Sequence, residues 1–143
     1  MKTVREYMTS DVTFCTTLDN VYEAALKMKD NDVGIIPVLE DDELAGVLTD
    51  RDLVVRGIAG KHPGSTKVTD IMTREIYTAA PDMSIEEALE LMASRQVKRL
   101  PVVDDGRLAG IIALKDIAVH QDTIAEAGHT LSEISEGHGN NFN

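Results

Sequence analysis

The feature that most constrains this chain is an internal duplication that runs without a gap. Residues 4 to 53 align with residues 68 to 117 at a constant separation of 64 positions. The matched pairs include Val4 with Val68, Met8 with Met72, Thr9 with Thr73, Glu23 with Glu87, Pro37 with Pro101 and Gly46 with Gly110. A duplication of this kind predicts two copies of one supersecondary unit. We therefore expect repeat 1 at residues 1–60, repeat 2 at residues 61–122, and a partly mobile C-terminal extension at residues 123–143.

Each repeat begins with the same predicted elements. A short apolar run opens it, at residues 12–15 in repeat 1 and at residues 76–79 in repeat 2, and predicts a strand. A helix follows, and its start is marked by Asn20-x-x-Glu23 or Ser84-x-x-Glu87, the spacing of a capping box. The apolar face of this helix has amphipathic spacing and consists of Val21, Ala24, Ala25 and Met28 in one copy and Ile85, Ala88, Leu89 and Met92 in the other.

Two further strands and a second helix complete each repeat. The strands flank an acidic turn and are predicted at residues 35–39, 44–48, 100–103 and 108–112. The second helix is predicted at residues 50–58 and 114–121. A unit of about 50 residues buries too little apolar surface by itself. We therefore expect an α/β (α+β) fold in which the two β-α-β-β-α repeats pack sheet against sheet.

The composition indicates an acidic globular protein. The chain has 14 basic and 25 acidic residues and a formal charge of −11, so binding to nucleic acid or to anionic membranes is disfavoured. No run approaches the roughly 20 apolar residues of a membrane span, and the N-terminus lacks the apolar run of a signal peptide. We expect a cytoplasmic location. The single cysteine, Cys15, has apolar neighbours and is expected to pack as a small apolar side chain without a catalytic role.

The two repeats differ at the junction between a strand and the helix that follows it. In repeat 1 this junction is Gly46-Val47-Leu48-Thr49-Asp50-Arg51-Asp52, and in repeat 2 it is Gly110-Ile111-Ile112-Ala113-Leu114-Lys115-Asp116. Both keep the glycine, the apolar pair and the final aspartate, but Ala113 stands where repeat 1 has the hydroxyl of Thr49. The N-terminus of a helix favours an anion. We therefore expect the functional site at these junctions, and expect the two copies to differ.

These motifs, present in register in both repeats, resemble those of the cystathionine-β-synthase (CBS) domain, and residues 4 to 120 resemble a CBS domain pair, or Bateman module. The resemblance is carried by the Met-Thr openings, Pro37-Val38, Arg99-Leu100-Pro101-Val102, the Asp-Asp turns, and Thr49-x-x-Asp52 or Ala113-x-x-Asp116. The chain is also similar to small stand-alone bacterial CBS-pair proteins, some linked to stress or hypoxic responses. The resemblance implies pseudo-twofold symmetry of the repeats and a homodimer.

The resemblance further implies a non-catalytic regulatory module that binds an adenosyl ligand in a cleft between the repeats. AMP, ADP, ATP and S-adenosylmethionine are the implied regulatory ligands, and no catalytic cofactor is implied. It implies that Asp52 contacts the ribose and that Thr49 contacts a phosphate or ribose oxygen. The residues implied for the phosphates are Lys98, Arg99 and Lys115, and those implied for the base are Ile76, Tyr77 and Pro101.

The corresponding second cleft is less complete. The resemblance assigns to it Asp116, Arg51, Ile36 and Pro37. Ala113 removes the hydroxyl, and Gly34-Ile35 stand where the first cleft has Lys98-Arg99. We expect this second site to bind weakly, to stay empty, or to prefer a ligand with less charge.

The sequence contains no recognisable metal site or catalytic constellation. His62, His120, His129 and His138 are not at a metal-ligand spacing, and no Ser, His and Asp set lies in a nucleophile context. An alternative function stays open, namely a protein-interaction scaffold with vestigial clefts. Such a scaffold would dock a partner through its dimer face or through the C-terminal extension, where Leu131 and Ile134 are three residues apart.

Overall fold

The computed structural model describes residues 2–119, 131, 133 and 134. The chain divides into two compact units, one formed by Thr13–Ile76 and the other by Met1–Val12 together with Tyr77–Asn143. We call them the central unit and the terminal unit, after their positions along the chain, and describe each by itself. The fold is mixed α/β, as the sequence predicts.

The central unit contains a three-stranded sheet. Strand β1 (Cys15–Thr16) pairs parallel with β2 (Ile35–Glu40), and β2 pairs antiparallel with β3 (Glu43–Thr49). Helix α2 (Val21–Asn31) connects β1 to β2, and helix α3 (Asp50–Asp52) follows β3 and continues as a π-helical turn at Leu53–Ile58. A short 3-10 helix at Val68–Asp70 lies near the end of the unit.

The terminal unit repeats this plan. It begins with helix α1 (Val4–Tyr7) and contains helix α4 (Ile85–Arg95), strands β4 (Arg99–Asp104) and β5 (Arg107–Ala113), and helix α5 (Leu114–Ala118). Strands β4 and β5 pair antiparallel, with a register irregularity at the position equivalent to the one in β2. Ala79 forms a parallel bridge to Val102, as Cys15 does to Val38 in the central unit.

Local chemistry explains where these elements begin and end. Asn20 accepts a hydrogen bond from the backbone N–H of Glu23, whose side chain bonds back to the N–H of Asn20, so the predicted capping box is present. Ser84 accepts a hydrogen bond from the N–H of Glu87, but no return bond from the Glu87 side chain is found among the described residues, so only half of this predicted box is formed. Both long helices end at a residue with positive φ, and the β4–β5 turn has positive φ at Asp105 and Gly106, as a tight hairpin requires.

The predicted boundaries differ from the observed ones at three places. The opening runs are shorter than predicted, because only Cys15–Thr16 forms a strand and Ala79 forms a single bridge. The four hairpin strands extend beyond their predicted ends, since pairing continues to the turn. The last helix ends at Ala118 and not at Gln121, although residues 120 and 121 lie outside the described part of the chain, as does most of the C-terminal extension.

Each unit has its own apolar core. The core of the central unit consists of Cys15, Ala24, Met28, Ile36, Val38, Leu48, Val68, Ile71 and Met72. The core of the terminal unit includes the matching positions of repeat 2, with Val4 from the N-terminus and Ile134 from the C-terminal extension, both fully buried. Ile134 therefore packs inside its own unit and is not available to dock a partner.

The opening segment of each repeat packs in the unit that carries the other repeat's hairpin. In the central unit, Thr73 and Val47 exchange two backbone hydrogen bonds of 2.8 and 2.9 Å. In the terminal unit, Thr9 and Ile111 exchange two of 2.9 Å. The glycine that both repeats carry at this position has a steric reason. A Cβ at Gly46 would lie 2.8 Å from the carbonyl oxygen of Thr73, and one at Gly110 would lie 2.5 Å from that of Thr9.

Candidate functional site

The predicted ligand residues are distributed over both units. The central unit contains Thr49, Asp52 and Ile76, together with Ile36, Pro37 and Arg51 of the second predicted site. The terminal unit contains Tyr77, Lys98, Arg99, Pro101 and Lys115, together with Asp116. Within each unit, the structure brings some of these residues together at a strand-to-helix junction.

The junction of repeat 1 is closed by a second capping box. Strand β3 ends at Thr49, whose Oγ1 accepts a hydrogen bond of 3.0 Å from the backbone N–H of Asp52. In return, the backbone N–H of Thr49 donates to Asp52 Oδ2 at 3.1 Å. These bonds use the hydroxyl of Thr49 as an acceptor and leave its proton available as a donor. Thr49 and Asp52 are thus held side by side at the start of the helix.

The carboxylate of Asp52 is buried and has further partners. The residue is only 8% exposed. The hydroxyl of Thr73 donates to the carboxylate, with Oγ1 lying 3.2 Å from Oδ2 and 3.4 Å from Oδ1. Arg56 Nε lies 3.8 Å from Oδ1. A carboxylate has about four acceptor sites, so Oδ2 is largely occupied, whereas Oδ1 keeps the greater remaining capacity.

A second acidic side chain shapes the start of this helix. Asp50 donates its backbone N–H to the carbonyl oxygen of Gly34 at 3.0 Å. A Cβ added at Gly34 would lie 3.0 Å from Asp50 Oδ2. The Asp50 carboxylate therefore lies beside the position where repeat 2 carries Lys98, so this part of repeat 1 is acidic where repeat 2 is basic.

The remaining central-unit residues differ in how accessible they are. Ile36 is fully buried in the core, Pro37 is buried, Ile76 is half-buried and Arg51 is exposed. Ile36 therefore contributes to packing, and among the four only Arg51 and Ile76 present substantial surface.

The junction of repeat 2 lacks the cap. Helix α5 starts after Ala113, which has no side chain able to bond the free N–H groups. Asp116 is half-buried, and within residues 2–119, 131, 133 and 134 its side chain has no hydrogen bond or ion pair. The equivalent aspartates of the two repeats therefore have different surroundings, because the side chain of Asp52 is contacted by three groups and that of Asp116 by none among the described residues.

The basic residues predicted to contact phosphate lie at this junction. The carbonyl oxygen of Lys98 accepts a 2.8 Å hydrogen bond from the N–H of Leu114, which brings the start of β4 beside the start of α5. Lys98 and Arg99 are half-buried, and Lys115 is exposed. The structure thus brings the three basic residues to one end of the β4–β5 hairpin.

Tyr77 is covered by a cation that the sequence analysis did not single out. The guanidinium carbon of Arg95, the last residue of α4, lies 4.5 Å from the centroid of the Tyr77 ring. This distance is typical of a cation–π contact. The same terminal unit holds Pro101, which is buried on β4. Neither the spacing nor the repeat indicates Arg95, because the contact joins residues that no motif connects.

Thr73 and Arg56 are the other two residues that the sequence analysis missed. Thr73 belongs to the repeated Met-Thr motif, so the duplication carried a signal for it, but nothing in the sequence places its hydroxyl on Asp52. Arg56 donates from Nη1 to the carbonyl oxygen of Met72 at 3.1 Å. It thereby ties the helical turn after Asp52 to the segment that contains Thr73.

Other chemically active groups lie away from these junctions. Cys15 is fully buried, and burial raises the pKa of its thiol from 9.0 to about 11, which agrees with its predicted packing role. A depression of about 310 Å³ at the β2–β3 turn is lined mainly by acidic residues and so disfavours a phosphate. Over the described residues no cluster of three metal-ligating side chains is found, and no helix there has the length and hydropathy to cross a bilayer.

Comparison with known proteins identifies relatives over nearly the whole chain. The CBS domain family model matches residues 4–57 and 68–123. The uncharacterized protein YlbB of Bacillus subtilis (strain 168) is 50% identical over 139 residues, which cover 96% of this chain and 94% of that protein. The crystal structure of Hypoxic Response Protein I with two coordinated zinc ions is 37% identical, with a TM-score of 0.76 over 84% of this chain and 99% of that chain.

A more distant structure contains ligands. The CBS domain pair of protein MJ0100, crystallised in complex with 5′-methylthioadenosine and S-adenosyl-L-methionine, has a TM-score of 0.73 and 23% identity. The alignment covers 82% of this chain and 98% of that chain. At this level of identity the likeness establishes a common fold and nothing further.

Proposed function

This chain belongs to the CBS domain family, and on that premise we propose that it is a non-catalytic regulatory protein that binds an adenosyl ligand. The observation that carries the proposal is the capped junction of repeat 1, where the hydroxyl of Thr49 and the carboxylate of Asp52 are held side by side. Candidate ligands are AMP, ADP, ATP and S-adenosylmethionine. The two adenosyl compounds bound by the MJ0100 domain pair make this class the natural one to test.

The chemistry of the junction suits a ribose phosphate. A carboxylate can accept hydrogen bonds from both hydroxyls of a vicinal diol, and we propose that Asp52 does so mainly through Oδ1, its less occupied oxygen. The proton of the Thr49 hydroxyl is available to a phosphate or ribose oxygen. The backbone N–H groups of the first helical turn already have acceptors within the protein, so they act on an anion only through the helix dipole.

The proposed phosphate contacts are Lys98, Arg99 and Lys115, and the proposed base contacts are Ile76, Tyr77 and Pro101. Their participation in the same site as Asp52 rests on the resemblance of the sequence to the family. Arg99 can bind a phosphate through two parallel N–H bonds, whereas lysine acts as a point charge. These residues supply the local positive charge that a chain with a net charge of −11 needs to bind an anion.

We propose that the site assigned to Asp116, Arg51, Ile36 and Pro37 is weaker. Ala113 offers no hydroxyl and no cap, and the Asp50 carboxylate beside Gly34 opposes a phosphate. The side chain of Ile36 is buried, so its share in any contact is small. A ligand with less negative charge would suit this site better than a triphosphate.

Isothermal titration with the four candidate ligands tests the proposal. We expect wild-type protein to bind at least one of them, and Asp52→Asn to weaken binding by about tenfold or more, since a hydrogen bond to a charged group is lost. Asp116→Asn is the matched control and should change the affinity for the tighter site less. Folding of each variant is checked by circular dichroism. Absence of binding by folded wild-type protein at millimolar ligand would refute the proposal.

We also propose that the protein forms a homodimer through the outer face of α2. Tyr22 and Leu26 on this helix are 59% and 37% exposed, and Leu18, in the turn that precedes it, is 82% exposed. The equivalent positions beside and on α4 carry Asp82, Glu86 and Glu90, which is the composition of a solvent-exposed face.

A second candidate function is a protein-interaction scaffold with vestigial ligand clefts. The uncapped junction of repeat 2, with Ala113 in place of a hydroxyl, favours it. Ile134 does not favour it, because this residue is buried in the core of its own unit. A pull-down that captures the same partner with and without saturating nucleotide would support the scaffold, whereas nucleotide-dependent capture would support the sensor. A role in stress responses and a cytoplasmic location stay predictions.

A further inference from the structure

The carboxylate of Asp52 is contacted by two residues beyond its helix cap, Thr73 and Arg56. One of its contacts, from the backbone N–H of Thr49, is part of the helix cap. The guanidinium of Arg56 approaches from the next helical turn, and the hydroxyl of Thr73 from a separate segment. The cap alone fixes Oδ2 through one N–H bond. The Thr73 hydroxyl contacts both oxygens and therefore fixes the rotation of the carboxylate plane.

The position of Thr73 is itself well determined. Its backbone exchanges two hydrogen bonds with Val47, and Gly46 leaves the space that this close approach requires. Arg56 bonds the carbonyl oxygens of Ile71 and Met72 at 3.5 and 3.1 Å. The segment that contains Thr73 is thus held by Val47, which precedes Asp52 in the chain, and by Arg56, which follows it.

We propose that Thr73 and Arg56 are positioning residues for ligand binding, which orient Asp52 so that Oδ1 faces the ribose diol. This inference rests on the proposed function and adds two residues to it. Thr73 and Arg56 do not touch the ligand in this arrangement. They act through Asp52, and Thr73 makes the selection for a ribose with both hydroxyls depend on the Met-Thr segment of repeat 2.

The duplication supplies an internal control for this role. Thr9 is the equivalent of Thr73 and makes the same pair of backbone hydrogen bonds, here with Ile111. Over the described residues the side chain of Asp116 has no hydrogen bond, so Thr9 orients no carboxylate. Thr9→Val and Thr73→Val therefore remove the same hydroxyl from equivalent backbone sites, but only the second removes a contact with an aspartate.

The experiment compares the binding of AMP and 2′,3′-dideoxy-AMP by isothermal titration. Wild-type protein is expected to prefer AMP, and Thr73→Val to lose about tenfold of that preference, the effect of one hydrogen bond to a charged group. The affinity for the dideoxy compound should be unchanged. Arg56→Met should reduce the preference less, because a partly exposed ion pair contributes little. Thr73→Ser restores the hydroxyl and should restore the preference, and Thr9→Val should leave it intact.

The outcomes separate this inference from the proposed function. If wild-type protein prefers AMP and Thr73→Val keeps the full preference while remaining folded, the positioning role is wrong and the proposed function stands. If wild-type protein binds AMP and the dideoxy compound equally, Asp52 does not select the diol and the inference fails. If wild-type protein binds none of the candidate ligands, the proposed function fails and the inference fails with it. If the role of Thr73 were purely structural, Thr73→Val would lower the affinities for AMP and for the dideoxy compound equally and leave the ratio of the two affinities unchanged.

Discussion

Burial of the Cys15 thiol makes the stability of this protein depend on pH in the alkaline range. The pKa of Cys15 is raised from 9.0 to about 11 because burial disfavours the charged thiolate. In the unfolded chain the thiol ionises near pH 9, whereas in the folded chain it stays protonated until about pH 11. The unfolded state therefore binds fewer protons in this range, and stability falls as the pH rises.

We predict that the contribution of Cys15 to the free energy of unfolding is complete below pH 9 and decreases between pH 9 and 11. Urea unfolding of wild type and of Cys15→Ala across this range measures the effect. The alanine variant should be less stable at pH 8, because it leaves a cavity, but its stability should depend less on pH. Rapid modification of Cys15 by iodoacetamide at pH 8 in the folded protein would contradict the buried, protonated thiol.

The contacts of the aspartate that ends each T-x-x-D or A-x-x-D motif depend on the residue three positions before it. Thr49 caps its helix and holds Asp52, and replacement of such a cap by alanine costs about 1 kcal/mol of stability. Repeat 2 already has alanine at this position, and within the described part of the chain Asp116 makes none of these contacts. The sequence predicts the difference in hydroxyl content, but the difference in carboxylate burial follows only from the three-dimensional position of Thr73 and Arg56.

At the scale of the element, the docking of the Met-Thr segments depends on two glycines. A Cβ at Gly46 would lie 2.8 Å from the carbonyl oxygen of Thr73 and 2.9 Å from Met72 Sδ. Backbone atoms in a paired strand cannot move away without breaking the bonds between Val47 and Thr73. The glycine therefore determines whether strand β3 can receive its partner segment.

We predict that Gly46→Ala lowers the free energy of unfolding by about 1 to 3 kcal/mol, the usual cost of overpacking. Gly57→Ala is the control, since this buried glycine would place its Cβ 3.6 Å from the nearest atom, at ordinary contact distance. The control should be neutral or slightly stabilising, because alanine is the better helix former. Urea denaturation compares the two variants, and equal stability would show that the segment is not held as described.

Much of this element structure follows from the sequence because it depends on local signals. The capping residues Asn20 and Ser84, the Asp-Gly turn and the amphipathic spacing act within a few residues of one another, so they predict elements directly. The placement of Thr73 on Asp52 joins residues 21 positions apart, and the contact of Arg95 with Tyr77 likewise joins separate segments of the chain. No local pattern determines such contacts, and the sequence analysis therefore missed them.

For the whole molecule, the exposed apolar face of α2 leads to a prediction about assembly. Two chains that each carry a charge of −11 repel one another, so association requires apolar contact of the kind that Leu18, Tyr22 and Leu26 offer. We predict a dimer in solution, and expect Tyr22→Glu combined with Leu26→Glu to shift it toward monomer. Light scattering after size exclusion measures the mass. Glu90→Gln, at the position equivalent to Leu26, is the control and should leave the dimer intact.

Because the opening segment of each repeat pairs with the hairpin of the other, a cut between residues 60 and 61 would separate paired segments. A fragment that ends at residue 60 lacks the segment that pairs with Val47, and a fragment that starts at residue 61 lacks the one that pairs with Ile111. Each half would leave an unsatisfied strand edge and an incomplete core. The two halves are therefore suited to a split-protein complementation system, in which neither piece folds until both are present and each completes the other.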